Sequence, residues 1–317
     1  MMRIMEGIWK YENLSNYVPS KYRLTQGEGN TPVRKIYLEE FNQDILLKDE
    51  TQNPTGSHKD RSLAYQLSKH ISEGKNDFVI SSSGNSSISA VSLLKGKDIN
   101  LTIFLSPKLS ESKRVRLENY LGSEIKSKIE NFSINFTKKP ISEAFKYAKD
   151  NNQTLLRGST DPYSIPGFKS ISYEIIKDHP KVDAIFIPTS SGSTALGIFE
   201  GYVENDYLPQ LHVIQTTTTH PISREYDTNF IKTNSSIASS ITDRVAHRKS
   251  QIQSIIKESN GSGWVVSDEL IRSAINILKV NQIEVSTDAA LSLAGLLKAY
   301  QAGVIYQRPL CILTGVK

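Results

Sequence analysis

The residues best suited to chemistry lie in NPTGSHKDRS, residues 53–62, where a Pro-Thr-Gly-Ser turn runs into a helix-like stretch with Lys59 in its first turn. A lysine there sits close to the positive end of a helix dipole, which disfavours its ammonium form. The neutral amine becomes more accessible, and a neutral amine is what a Schiff base with a carbonyl compound requires. Taken alone, the segment fits an ordinary surface lysine ahead of Asp60 and Arg61 equally well.

Two loops could hold anions. SSSGNSS, residues 81–87, follows the apolar run DFVIS and precedes a helix-like stretch, so its backbone N–H groups could grip a substrate carboxylate, with Asn85 as a further donor. PTSSGSTALGI, residues 188–198, follows AIFI and opens another helix. Its amides and hydroxyls could surround a phosphate without an arginine or lysine. The patterns GxxxxGK(S/T) and GxGxxG do not occur there, which disfavours nucleotide triphosphatase and dinucleotide chemistry. Near the end, CILTGVK brings Thr314 to the carboxyl edge of a parallel sheet, where ligands of open α/β folds gather. A neutral hydroxyl there could hydrogen-bond a pyridine nitrogen without keeping it protonated.

The elements that must position these residues alternate along the chain. β-rich runs begin at Asp44, Asp77, Asn100, Asp183, Leu211 and Pro309. Helix-like stretches lie near 60–73, 86–96, 111–121, 141–151, 167–178, 193–205, 268–280 and 287–302, and Ser267 ahead of Asp268 and Glu269 is a good cap. This alternation is the pattern of parallel α/β architecture. Periodicity is weakest between about Thr218 and Gly263, which reads as a polar loop region.

A chain of 317 residues, 38% hydrophobic, can bury one large core or two. Its only cysteine, Cys311, sits in an apolar run and reads as a core residue, so disulfides and thiolate metal clusters are not expected. The six histidines lack the spacing of a zinc site, so no metal is expected. The net charge of +5 is spread among acidic residues, which argues against a nucleic-acid partner. No run is long and apolar enough for a membrane span, and the opening residues lack a secretory pattern, so a cytoplasmic location is expected.

Together, a lysine on a Gly-Ser turn, a Ser-Gly-Asn loop, a Gly-Ser loop and a C-terminal Thr-Gly follow the order seen in fold-type-II pyridoxal phosphate enzymes. The chain resembles threonine synthases in particular. GIWKYENL, GEGNTP, NPTGSHKDRS, DPYSIPGFKSISYEI, SDELIRSAINIL and EVSTDAALSLAGLLKA all look like segments of that family. The resemblance implies two three-layer α/β domains with mostly parallel sheets, the smaller formed by 46–150 and the larger by 1–45 and 151–317, with pyridoxal 5'-phosphate in the cleft between them. It implies that Lys59 forms the Schiff base and shuttles protons, and that Asn85 hydrogen-bonds the cofactor's phenolic oxygen. Ser190, Ser191, Gly192, Ser193 and Thr194 would bind its phosphate, with His58 able to touch it, and Thr314 would face the pyridine nitrogen. Ser82, Ser83, Gly84, Asn85 and Ser86 would grip the substrate carboxylate, with Ser159 also at the substrate. A homodimer acting on a small amino acid is implied in the same way.

Three departures bear on the substrate. The family segment matching 158–169 usually reads like NSxNPYRxEGQK and supplies polar and arginine side chains to a substrate phosphate; here Ser164 replaces the arginine and Gly158 the asparagine. His58 replaces the usual phenylalanine, as in tryptophan synthase β chains, and the loop at 190–194 resembles the GTGGT loop of cysteine synthases. Arg157, Arg244 and Arg248 are candidate replacement cations. The expected reaction is O-phosphohomoserine to threonine and phosphate by a carbon-oxygen lyase. A β-eliminating or β-replacing enzyme, such as a serine or threonine dehydratase or a cysteine-synthase-like enzyme, is the alternative. A non-catalytic binding protein of the same fold is a third reading.

Overall fold

The computed structural model describes residues 6–82, 84–109, 111–126 and 128–316. The chain divides into two compact units, one made of the stretch up to Gly29 with Asn53–Gly167, the other of Asn30–Gln52 with the chain from Phe168 onward. The N-terminal stretch thus groups with the Lys59 segment, whereas the sequence reading put it with the larger domain. Packing gives the reason. Ile8, Trp9 and Leu14 are buried, the Trp9 ring stacks on Tyr65 at 5.8 Å between centroids, and the Leu24 N–H donates to Ser68 Oγ at 2.7 Å. Tyr65 and Ser68 both lie on the helix Lys59–Ser72.

Among the described residues the first unit has a five-stranded sheet, in spatial order Lys128–Ile129, Phe132–Phe136, Asn100–Leu105, Asp77–Ser81 and Thr154–Leu155. Its pairings are parallel except the one between Lys128–Ile129 and Phe132–Phe136. The second unit has six strands, in order Val33–Leu38, Gln43–Asp49, Pro309–Leu313, Ala184–Pro188, Gln210–Thr216 and Ser262–Val266. There the pair Val33–Leu38 and Gln43–Asp49 is antiparallel and the rest parallel.

Successive residues of a strand face opposite sides of a sheet. Ala184 and Phe186 pack into a core with Leu47, Ile214 and the helices Asp268–Val280 and Thr287–Gln301, while Ile185 and Ile187 between them are equally buried. Both faces are therefore covered, which makes the sheet the middle of three layers and explains why its strands read as continuous apolar runs. In the first unit, Val79 and Phe104 pack with Ala144 and Ala148 on one face, and their neighbours Phe78, Ile80 and Ile103 are also buried. The α/β fold with mostly parallel sheets is the one expected from the sequence.

Every expected strand and helix is present within a few residues. The region read as a loop after Thr218 holds more structure than expected: the helix Lys249–Glu258, which buries Ile252, Ile255 and Ile256, and the strand Ser262–Val266. Their apolar residues are few and flanked by serines, so the local pattern alone is weak. Cys311 is fully buried, and burial raises its thiol pKa.

Candidate active site

The turn ahead of Lys59 is built by its own side chains. Asn53, Pro54, Thr55 and Gly56 occupy successive turn positions, with the Gly56 N–H donating to the Asn53 carbonyl at 2.7 Å and Gly56 at φ +75. Asp60 then accepts from the Thr55 N–H at 2.7 Å and the Thr55 hydroxyl at 2.5 Å, and the Lys59 N–H donates to Ser57 Oγ at 3.2 Å. The helix Lys59–Ser72 begins at Lys59 itself. Burial lowers the Lys59 amine to about 8 from the usual 10.5. Desolvation of the charged form is the cause the structure supplies, rather than the helix dipole alone. His58 is buried at the preceding position, its Nδ1 3.4 Å from Ser57 Oγ.

Asn85 opens the helix Asn85–Leu94, with Ser86 in its first turn and Gly84, at φ −138 and ψ −143, at the N-cap. The Ser87 hydroxyl donates to the Ser82 carbonyl at 2.6 Å, and the Gly84 N–H to Ser82 Oγ at 3.3 Å, so the loop is tied to itself. Ser83 lies outside the described residues. The sequence reading missed Arg116. From the helix Glu111–Leu121, its Nη1 donates to Asn85 Oδ1 and its Nη2 to the Thr55 carbonyl, each at 2.7 Å. Nothing in its local pattern separates it from a solvated arginine.

The segment 158–167, where the resemblance implies side chains for a substrate phosphate, makes hydrogen bonds within the first unit instead. Ser164 is 1% exposed, and its hydroxyl donates to the carbonyls of Asp161 at 2.7 Å and Gly158 at 2.9 Å. Ser62, Gln66 and His70, four apart on one helix face, meet the same segment. Ser62 Oγ donates to the Ser164 carbonyl, while Gln66 Nε2 and His70 Nε2 lie 2.6 and 2.7 Å from Asp161 Oδ2. Burial alone would raise the Asp161 carboxyl, but the bonds from His70 and Gln66 outweigh it and the net shift is downward. Ser159 sits half-buried in the turn that Thr160 and Asp161 close on the Arg157 carbonyl.

In the second unit, Ser190 to Thr194 follow the strand Ala184–Pro188 and lead into the helix Ser193–Val203. Gly192 is the N-cap, at φ +90. Ser193 and Thr194 are buried in the first turn, and Ser191 Oγ lies 3.2 Å from Ser193 Oγ. Ser190 Oγ accepts the N–H groups of Thr242 and Asp243, each at 3.2 Å. Of the candidate replacement cations, Arg244 is exposed and Arg157 half-buried. Arg248 is buried with its Cβ beside Gly192, where an added Cβ would lie 3.8 Å from it. Thr314 is buried just past Pro309–Leu313, and the following Gly315 carbonyl accepts from the Ser286 N–H and hydroxyl at 3.0 Å.

In the first unit, a desolvated lysine amine suits an aldehyde and an asparagine with its carboxamide oxygen already engaged suits a phenolic oxygen; in the second, a positive-φ glycine opening a helix among serines suits a phosphate. Fold and residues together define an enzyme of the fold-type-II pyridoxal phosphate class. The family described as "Pyridoxal-phosphate dependent enzyme" matches residues 24–315, and the chain belongs to it. The threonine synthase of Methanosarcina acetivorans is 26% identical over 97% of this chain and 79% of its own length. That of a Bacillus species is 28% identical over 91% and 82%. The structure of maize serine racemase superposes with a TM-score of 0.73 at 17% identity, over 98% of this chain and 92% of that one, a likeness of fold. This is a pyridoxal-phosphate-dependent enzyme, and the relatives agree with the lyase class expected from its motifs. No helix among the described residues is long and apolar enough to cross a membrane.

Proposed function

We propose that this enzyme is a threonine synthase-like lyase that converts O-phosphohomoserine and water to threonine and phosphate. The observation that carries the reading is the match to threonine synthases over nearly the whole chain. Bound pyridoxal phosphate supplies the electron sink. Lys59 would hold its aldehyde end, and the Lys59 amine, with its pKa lowered by burial, would move a proton between two substrate carbons. Asn85 would donate to the phenolic oxygen, the 190–194 loop and its helix N-terminus would hold the phosphate, and Thr314 would offer the pyridine nitrogen a neutral hydroxyl. The 82–86 loop orients the substrate carboxylate, with Ser159 nearby. His58 would lie toward the phosphate end. A cytoplasmic homodimer belongs to the same reading and is checked by sedimentation and fractionation.

One observation favours a second reading. Ser164 replaces the family's arginine and spends its hydroxyl on two backbone carbonyls, so it offers no charge-assisted donor to a dianionic leaving group. A β-eliminating enzyme acting on serine or threonine has no such need. The deciding experiment supplies the pyridoxal phosphate-loaded protein with O-phosphohomoserine, then serine, then threonine, and measures released phosphate and keto acid. Phosphate with threonine as co-product supports the first reading. Keto acid with ammonia from serine or threonine, without phosphate release, replaces it with the second. Lys59→Ala should lower either activity by about a thousandfold or more.

A further inference from the structure

We infer that Arg116 is a positioning residue for the cofactor: it orients and polarises the Asn85 carboxamide and fixes the turn that delivers Lys59, without touching the cofactor itself. The inference rests on the reading that Lys59 and Asn85 hold pyridoxal phosphate.

Arginine only donates, so Arg116 Nη1 at 2.7 Å from Asn85 Oδ1 dictates which way the carboxamide faces. Its oxygen accepts from the guanidinium, which turns its Nδ2 hydrogens away from Arg116. A cation on the carbonyl oxygen also draws charge from the amide and makes those hydrogens stronger donors. Donated to a phenolic oxygen, they favour its ionised form.

The second arm of the fork is as specific. Arg116 Nη2 donates to the Thr55 carbonyl at 2.7 Å, and Tyr120, one turn further along the same helix, donates to the Pro54 carbonyl at 3.3 Å. Residues four apart share a helix face, so Arg116 and Tyr120 clamp two successive carbonyls of the turn leading to Lys59. Lysine could not replace this arrangement, because a single ammonium lacks the planar fork that reaches two separate carbonyls. The half-buried guanidinium has Asp60 and Tyr120 as its charged and titratable neighbours.

The test reconstitutes the full chain with pyridoxal phosphate and records the ratio of the visible band to the near-ultraviolet band at one pH, with a fluorescence titration of cofactor affinity. Wild type, Lys59→Ala, Asn85→Ala, Arg116→Ala, Arg116→Lys and the Asn85→Ala/Arg116→Ala double variant are compared. Arg116→Ala should shift the ratio away from the visible band in the direction of Asn85→Ala and weaken affinity about tenfold. In band ratio the double variant should shift no further than Asn85→Ala, since Arg116 polarises the phenolic oxygen only through that side chain, whereas its cofactor affinity should fall below that of Asn85→Ala because the Thr55 contact is lost as well. A wild-type ratio in Arg116→Ala, or additive shifts in the double variant, overturns the inference. Should Arg116→Ala fail to fold, Arg116→Lys should shift the ratio part of the way, and no shift overturns the inference equally. A visible band lost in Lys59→Ala but indifferent to Arg116 sinks the role of Arg116 alone. A wild type that forms no visible band, or one that Lys59→Ala retains, sinks the cofactor reading and the inference with it.

Discussion

The backbone of Gly192 runs so close to the side chain of Ile252 that a Cβ at residue 192 would lie 2.6 Å from Ile252 Cγ1. The glycine is also at φ +90, a region costly for any residue with a side chain. Ile252 belongs to the helix Lys249–Glu258, in a region whose sequence shows no clear pattern. That helix therefore shapes the loop proposed to hold the phosphate.

Gly192→Ala should cost about 1–3 kcal/mol of stability from strain and overpacking together. It should also weaken pyridoxal phosphate binding. Denaturant unfolding and cofactor titration check the two effects separately, and unchanged values for both would contradict the role given to the loop.

Lys59 should make capture of pyridoxal phosphate by the cofactor-free protein depend on pH. Its amine is lowered to about 8, so the capture rate should rise with a midpoint near pH 8 rather than near 10.5. The stability sign follows: between those values the unfolded chain binds more protons than the folded one, so the destabilisation from the buried ammonium is full below about pH 8 and relieved as pH rises toward 10.5. Stopped-flow absorbance from pH 6 to 10 reads the midpoint.

Asp161→Asn should lose about 1–3 kcal/mol at neutral pH by weakening the bonds to Gln66 and His70. The native carboxyl is shifted downward, so its contribution is present above the ordinary aspartate value of about 4 and disappears as pH falls through the lowered value. The difference between variant and wild type in urea unfolding should accordingly shrink in acid. A difference constant down to pH 2 would rule this out.

Lys48 and Glu174 form a buried ion pair at 2.7 Å, with the Lys48 amine also donating to the Thr31 carbonyl and Glu174 accepting the Asn30 N–H. Lys48→Met should cost about 3–5 kcal/mol because it strands a buried carboxylate. Adding Glu174→Leu should recover much of that loss in thermal or denaturant unfolding.

Much of this enzyme is determined by its sequence alone. The alternation of apolar runs with amphipathic stretches specifies parallel α/β units, because strands covered on both faces must be apolar throughout. NPTGSHKD specifies its own turn and the helix start at Lys59 through contacts no more than five residues apart, between Asn53 and Gly56 and between Thr55 and Asp60. SSGST likewise places a glycine where a helix begins. Tertiary structure alone decided the rest. Arg116 meets Asn85 across 31 residues, Gln66 meets Asp161 across 95, and Arg248 reaches Gly192 only because a helix from a patternless region folds onto it. Such partners leave no local trace, since a side chain's hydrogen-bonding capacity is set by its type, whereas the group that satisfies it is set by where distant segments pack. The same serine at 164 could have faced a substrate phosphate, and the fold turned its hydroxyl onto two carbonyls of its own chain.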